Sequence, residues 1–228
     1  MNLSKFYNFA YCALGFIALF GASSATNAQK TGTREIDLDA SVEIKGEAIN
    51  IIVAIARLAN QNSVPIGLEV SSDDDLAEGS INLDIRSTTL KDALDNIVGQ
   101  RRIYTWKVTD GVVNVYPAKS SDRDKPCVQV LDTRIPNLIL ENGTARSTFR
   151  DSILMHPEVR KVLRRHKLKP YREVYPFGDL CPLGLDYSAK MTNKTVRQIA
   201  NQVIRDSATK YWVINRVDDG RKTLLFNL

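Results

Sequence analysis

Two groups of residues in this chain have the types and spacing that could support catalysis or metal binding. Residues 207–210, Ser-Ala-Thr-Lys, match the serine and lysine spacing of penicillin-recognising acyl enzymes, in which the lysine activates the serine. The motif follows a predicted helix instead of starting one, and residues 222–224, Lys-Thr-Leu, end in leucine where those enzymes have glycine. His156 and His166 lack companion ligands at metal-site spacing. We therefore predict no catalytic residue, no metal site and no cofactor.

The most distinctive chemistry is a run of cations in the second half of the chain, called here the basic segment. Residues 160–172 contain seven basic residues and no acidic residue: Arg160, Lys161, Arg164, Arg165, Lys167, Lys169 and Arg172. Pro157 and Glu158 favour the start of a helix just before the run. Two interpretations stay open. The basic segment is either a solvated helix surface or a binding site for an anionic partner.

The first 28 residues predict where the protein acts. Lys5 precedes an apolar run over residues 9–20, and small residues follow it, which is typical of a cleaved signal peptide. A membrane anchor is the alternative, but the run is shorter than the roughly 20 residues that span a bilayer. We expect a periplasmic or secreted protein with no membrane span after cleavage, and we expect no nucleic acid partner.

The cysteine count also depends on export. Cleavage would remove Cys12 and leave Cys127 and Cys181 in an oxidising compartment, where pairing is the simple expectation. A disulfide between them would close a loop of about 50 residues and stabilise the fold by at most roughly 4 kcal/mol. Two buried free thiols are the alternative.

Composition predicts a folded protein whose two halves differ in charge. The chain has 228 residues, 43% of them apolar and 25% charged, which excludes a disordered protein. Residues 29–120 contain 10 basic and 14 acidic residues, a net charge of −4, whereas residues 121–228 contain 20 and 12, a net charge of +8. The two halves therefore suit binding to surfaces of different charge, or to each other.

The elements that must position these residues are clearest in residues 81–117, which predict strand, capped helix, strand, tight turn and strand. Residues 46–61 predict an earlier helix. Its expected apolar stripe is Ile49, Ile52, Val53, Ala56 and Ala59. Residues 128–131 and 138–140 predict two strands of a second unit. We expect an α+β protein with two small helix-on-sheet domains: a signal peptide at 1–28, a domain at 29–118, a linker at 119–126 and a second, divergent domain at 127–228.

The second domain resembles the first after a shift of 106 residues. Thr89 then falls on Thr195, and Trp106 falls on Trp212, with the apolar helix positions between them also matched. The equal distance from helix to tryptophan favours an internal duplication. The alternative is that any two amphipathic helices match. Between its helices the second domain is about ten residues longer than the first, and the basic segment lies in this longer stretch.

Residues 41–117 resemble the short N-terminal (STN) domains of TonB-dependent receptors and secretins. The resemblance is carried by the apolar pattern of IKGEAINIIVAIARLANQNSVPIGLEV, INLDIRSTTLKDALDNIVG and IYTWKVTDGVVNVYP. Residues 101–102, Arg-Arg, depart from the small segment common in that family, and no barrel or secretin core follows. The resemblance therefore implies a small α+β domain that docks proteins in the bacterial envelope, without receptor or pore function.

Two classes of function remain after these observations. The first is a non-catalytic interaction or adaptor protein of the envelope, whose partner is an envelope protein or an anionic envelope component. The second is a small envelope hydrolase with an unrecognised site. The first would present exposed strand edges and a basic surface, and the second would present a cleft with perturbed acids. The sequence leaves the oligomeric state open.

Overall fold

A six-stranded mixed sheet with helices on both faces forms the centre of the fold. The computed structural model describes residues 35–72, 74, 80–141, 146–170, 188–217 and 222–228. It confirms the α+β class. The predicted signal peptide at residues 1–28 lies outside the described residues, as do Arg172 and Cys181.

The helices are α1 (Ile51–Asn62), α2 (Leu90–Gln100), α3 (Lys125–Asp132), α4 (Arg146–Leu154), α5 (Pro157–Arg165) and α6 (Val196–Asp206). The central sheet has the order β6-β7-β3-β11-β12-β9 and is built from β3 (Ile66–Glu69), β6 (Tyr104–Thr109), β7 (Val112–Pro117), β9 (Lys169–Pro170), β11 (Tyr211–Val217) and β12 (Thr223–Asn227). Three two-stranded sheets join β1 (Ser41–Ile44) to β5 (Ile85–Thr89), β2 (Glu47–Ala48) to β4 (Ile81–Asn82), and β8 (Arg134–Leu140) to β10 (Ala189–Thr195).

Local sequence signals explain the two helices that match under the 106-residue shift. Thr89 caps α2 by accepting a hydrogen bond from the Asp92 amide, and Thr195 caps α6 by accepting one from the Gln198 amide. The Gln198 side-chain oxygen in turn accepts a hydrogen bond from the Thr195 amide, which completes a capping box. Each cap satisfies amides that the first helical turn leaves unpaired. The two helices therefore begin in the same way.

The two faces of the sheet carry two hydrophobic cores. Helices α1 and α2 pack on one face, where Ile66 and Leu68 of β3 point. Helices α3 to α6 pack on the other face, against Trp212 and Phe226. Adjacent strand residues point to opposite faces, so β3 is buried on both sides. Each half of the chain thus supplies the helices of one face.

The two halves are joined inside the sheet. Strands β6, β7 and β3 come from the first predicted domain, and β11, β12 and β9 come from the second. Strand β3 pairs in parallel with β11, so the predicted boundary at residues 119–126 does not separate two sheets. Asp124, in that segment, is 2% exposed and accepts bonds from the Ser72 and Ser121 amides. Whether residues 29–118 and 127–228 fold independently stays a prediction.

Two local predictions were wrong. Residues 128–131 form part of α3 and not a strand, because Pro126, Cys127, Val130 and Leu131 give one buried helical face. Helix α1 begins later than expected, at Ile51, and buries Ile51, Ala54, Ile55, Leu58 and Ala59. Ile49 precedes the helix and is 73% exposed. The Asn50 side chain accepts from the Val53 amide and fixes this later start.

Among the helices of the described residues, none is both long and apolar enough to cross a membrane.

Candidate functional site

The basic segment lies on α5 and on the residues that follow it. Val159 and Leu163 are buried on one side of the helix, and Val162 is partly buried beside them, so all three expected apolar residues anchor α5 to the core. Lys161 bonds Glu158 at 2.7 Å, so the acid just before the run neutralises one cation. Five other cations form no ion pair with any described residue: Arg160, Arg164, Arg165, Lys167 and Lys169. All but the half-buried Arg160 are exposed.

Both histidines beside the basic segment have structural roles. His156 precedes α5, and its Nδ1 accepts from the Glu158 amide at 3.3 Å. His166 follows α5, and its Nε2 lies 2.9 Å from Oε1 of Gln129 on α3. Within the described residues, no group of three or more histidine, cysteine or acidic side chains could hold a metal ion. Through these two contacts, His156 and His166 help to position the two ends of α5.

The serine and lysine motif does not form an acylation site. Ser207 follows the last residue of α6 and is buried. Lys210 Nζ bonds the Ser207 carbonyl oxygen at 2.7 Å, and Ser207 Oγ accepts from the Thr209 amide. The lysine therefore contacts the backbone of Ser207. These contacts give the motif a role in ending α6.

Cys127 is buried on α3, 3% exposed, and forms no disulfide within the described residues. Burial raises the pKa of this thiol to about 12, and the carboxylates of Asp124 and Glu69 act in the same direction. Such a thiol is a weak nucleophile at neutral pH. Because Cys181 lies outside the described residues, the disulfide between Cys127 and Cys181 stays a prediction.

A buried polar cluster lies where β3 ends. The Tyr104 hydroxyl donates to Asp74 Oδ2 at 2.9 Å and accepts from the Ser71 amide at 3.1 Å. Arg101 lies 3.6 Å from Asp74 Oδ1. Burial raises the pKa of Tyr104 far above its usual range. These groups bond one another, so the cluster connects the end of β3 to the start of β6. An envelope hydrolase stays an alternative prediction.

Strand β6 ends the sheet on the side of the first half. Among the described residues, β7 is its only strand neighbour. The Ala118 amide donates to the Ile103 carbonyl, and bonded pairs alternate along an antiparallel ladder, so residues 105, 107 and 109 bond β7. The carbonyl and amide groups of Trp106 and Val108 therefore point outward. Val108 is also 38% exposed, which gives this edge an apolar residue.

Strand β11 has the same position in the second half, but there the outer edge is filled. The Lys210 carbonyl accepts from the Ile66 amide, and the Ile214 carbonyl accepts from the Val70 amide, both at 2.9 Å. The 106-residue shift places Lys210 and Ile214 on Tyr104 and Val108. Strand β3 therefore bonds the outward groups of β11, whereas the matching groups of β6 have no strand neighbour in the part of the chain that the structure describes.

The two tryptophans are held in the same way. Trp106 Nε1 donates to Asp95 Oδ1 at 2.9 Å, and Trp212 Nε1 donates to Asn201 Oδ1 at 2.8 Å. Each acceptor lies 11 residues before its tryptophan and is the sixth residue of its helix. Trp212 is fully buried, whereas Trp106 is partly exposed beside the open edge. The internal duplication itself stays a prediction.

The sequence indicated the tryptophan spacing but not the open edge. Pairing of β11 with β3 joins Tyr211 to Ile66, and no local pattern marks a partner so distant in the chain. Comparison of the chain with models of protein families, with curated proteins and with solved structures finds no match. Its function is therefore inferred from its own geometry.

Proposed function

We propose that this protein is a non-catalytic binding protein of the bacterial envelope that holds an extended segment of a partner protein along β6. The observation that carries the proposal is the contrast between β6 and β11. The two strands follow helices with matching caps and carry tryptophans at matching positions, yet among the described residues a second strand fills the outer edge of β11 and not that of β6. An added strand gains affinity from backbone bonds and selectivity from alternate side chains.

The exposed residues of β6 support docking at a controlled edge. Lys107 and Val108 are both exposed, and Lys107 Nζ lies 5.3 Å from the centre of the Tyr116 ring. A lysine on an edge strand discourages indiscriminate pairing between copies. The signal peptide pattern and the resemblance to envelope docking domains support the proposed location. A partner would therefore be an exported or envelope-embedded protein.

Proline scanning at the edge tests this proposal. Val108→Pro removes an outward amide and places a ring on the edge, whereas the matched control Val108→Ala keeps that amide. We expect Val108→Pro to lower cross-linking to the partner in intact cells by about tenfold, which corresponds to roughly 1.4 kcal/mol. Val108→Ala should retain most of the capture. Circular dichroism must show that both variants are folded, and equal capture by folded Val108→Pro would reject the proposal.

The basic segment supports a second candidate function. Its five cations without an ion-pair partner among the described residues lie on α5, on β9 and, for Lys167, between these two elements. The described acid nearest in sequence, Glu158, is paired with Lys161. An anionic envelope polymer, a lipid headgroup or an acidic protein surface could bind there. Such contacts are screened over roughly 8–10 Å at physiological salt, so this binding would weaken as salt rises.

A further inference from the structure

The contact between β3 and β11 shows what a strand must look like to fill this type of edge. The two strands run parallel, with Gly67 opposite Trp212. A Cβ atom added to Gly67 would lie 2.2 Å from Cε2 of the Trp212 ring and 2.6 Å from its Nε1. The Trp212 indole therefore lies over Gly67 on the neighbouring strand β3. Only glycine fits beneath it.

The Trp212 ring has little freedom to give way. Its Nε1 is bonded to Asn201, and the Phe226 ring lies 6.5 Å away, centre to centre, at an angle of 45°. The side chain is 0% exposed. Buried packing of this density resists even one added carbon atom. The glycine requirement thus follows from the position of the ring.

Trp106 is held by the equivalent bond to Asp95, so its indole has the same anchor on α2. The position beside it is open among the described residues, because β6 has no neighbour on that side. A strand that pairs with β6 as β3 pairs with β11 would pass next to this indole. It would meet the same limit opposite Trp106.

A second contact fixes a further residue of the incoming strand. Glu69 follows Gly67 by two residues and pairs with Arg197, the second residue of α6. The second residue of α2 is Lys91, which bonds Asp95 at 2.8 Å. Lys91 therefore holds on α2 the position that Arg197 holds on α6. An acidic residue two positions after the glycine would face this lysine.

We propose that the partner segment lies parallel to β6, with a glycine opposite Trp106 and an acidic residue two positions after it. This proposal rests on the proposed function, because it names the segment that β6 would hold. Within this chain the pattern is met by Ile-Gly-Leu-Glu in β3. A free peptide with that sequence is thus a rational probe.

The test uses a dye-labelled peptide with the sequence of residues 64–71, Val-Pro-Ile-Gly-Leu-Glu-Val-Ser, and the full mature protein. Fluorescence anisotropy measures binding, and a matched peptide carries valine in place of the glycine. We expect the valine peptide to bind at least about tenfold more weakly, because overpacking beneath the indole is unfavourable. Trp106 emission should shift to the blue as the ring is covered, while the buried Trp212 stays unchanged.

The variant Trp106→Leu separates the role of the indole from a general preference for glycine. It should bind the two peptides within about threefold of each other, because the smaller side chain leaves room for valine. Val108→Pro should weaken binding of both peptides. Circular dichroism checks that each variant is folded.

Three results would overturn this inference: no binding of the glycine peptide, equal binding of both peptides to the unmodified protein, or an undiminished glycine preference in folded Trp106→Leu. The proposed function would survive any of these if Val108→Pro still abolished capture of the partner in cells. If Val108→Pro weakened neither peptide binding nor cellular capture, docking at the β6 edge would be rejected altogether.

Discussion

Replacing Gly67 with alanine should destabilise the protein more than any ordinary surface substitution. The new Cβ would lie 2.2 Å from the Trp212 ring, whereas ordinary contacts begin near 3.4 Å, so ring or strand must move by about 1.2 Å. Overpacking of a buried site costs about 1–3 kcal/mol, and a lost bond between Trp212 and Asn201 about the same again. The expected loss is about 2–6 kcal/mol, against roughly 5–15 kcal/mol for a typical domain.

Urea unfolding followed by circular dichroism measures this change as a lower midpoint at unchanged slope. Gly99→Ala is the matched control, because no atom lies within 4 Å of its added Cβ and alanine favours the helix by up to about 1 kcal/mol. In a Trp212→Leu background, Gly67→Ala should cost less than about 1 kcal/mol, since the clash is gone. A Gly67→Ala variant as stable as the parent, or an equal loss in both backgrounds, would refute the steric reasoning.

Two further predictions concern the thiol and the cations. In the reduced protein, the Cys127 thiol has a pKa of about 12 when folded and near 9.0 when unfolded, so the unfolded state releases this proton first. The free energy of unfolding of the reduced protein should therefore fall as pH rises from about 9 to about 12. Cys127→Ala should flatten that decline in urea titrations, and an unchanged pH slope would contradict the burial effect. Replacing four cations with glutamine keeps helix propensity while removing charge: Arg160, Arg164, Arg165 and Lys169. The folded variant should lose most binding to anionic vesicles or acidic polymers at low salt, as measured by co-sedimentation, and undiminished binding would reduce the basic segment to a solvated surface.

Local features of the fold were predictable because neighbouring residues determine them. The strand, capped helix, strand, tight turn and strand predicted for residues 81–117 are present in the structure, because each depends on a short local pattern. Asp110 and Gly111 have φ values of 56° and 70°, the left-handed conformations that such a turn requires. The buried positions of α2, from Leu90 to Val98, also matched the expected stripe. These features need no knowledge of the tertiary structure.

Features that depend on distant partners were not predictable in the same way. Gly67 looks like an ordinary glycine in a short strand until Trp212 is placed over it. Residues 128–131 alternate as a strand would, but packing of Val130 and Leu131 against the second core makes them helical. The cations of the basic segment were visible at once. Pairing of Lys161 with Glu158 was not anticipated, because Glu158 lies just outside the run.

The pairing of β3 with β11 has a consequence for how the chain folds. Ile66 cannot pair until Tyr211, far along the chain, is available, so this contact forms late and raises the contact order of the fold. During synthesis, a partly emerged chain would carry β3 with one backbone edge unfilled. Such an intermediate could pair with the β6 of another molecule, since β6 resembles the strand that β3 awaits.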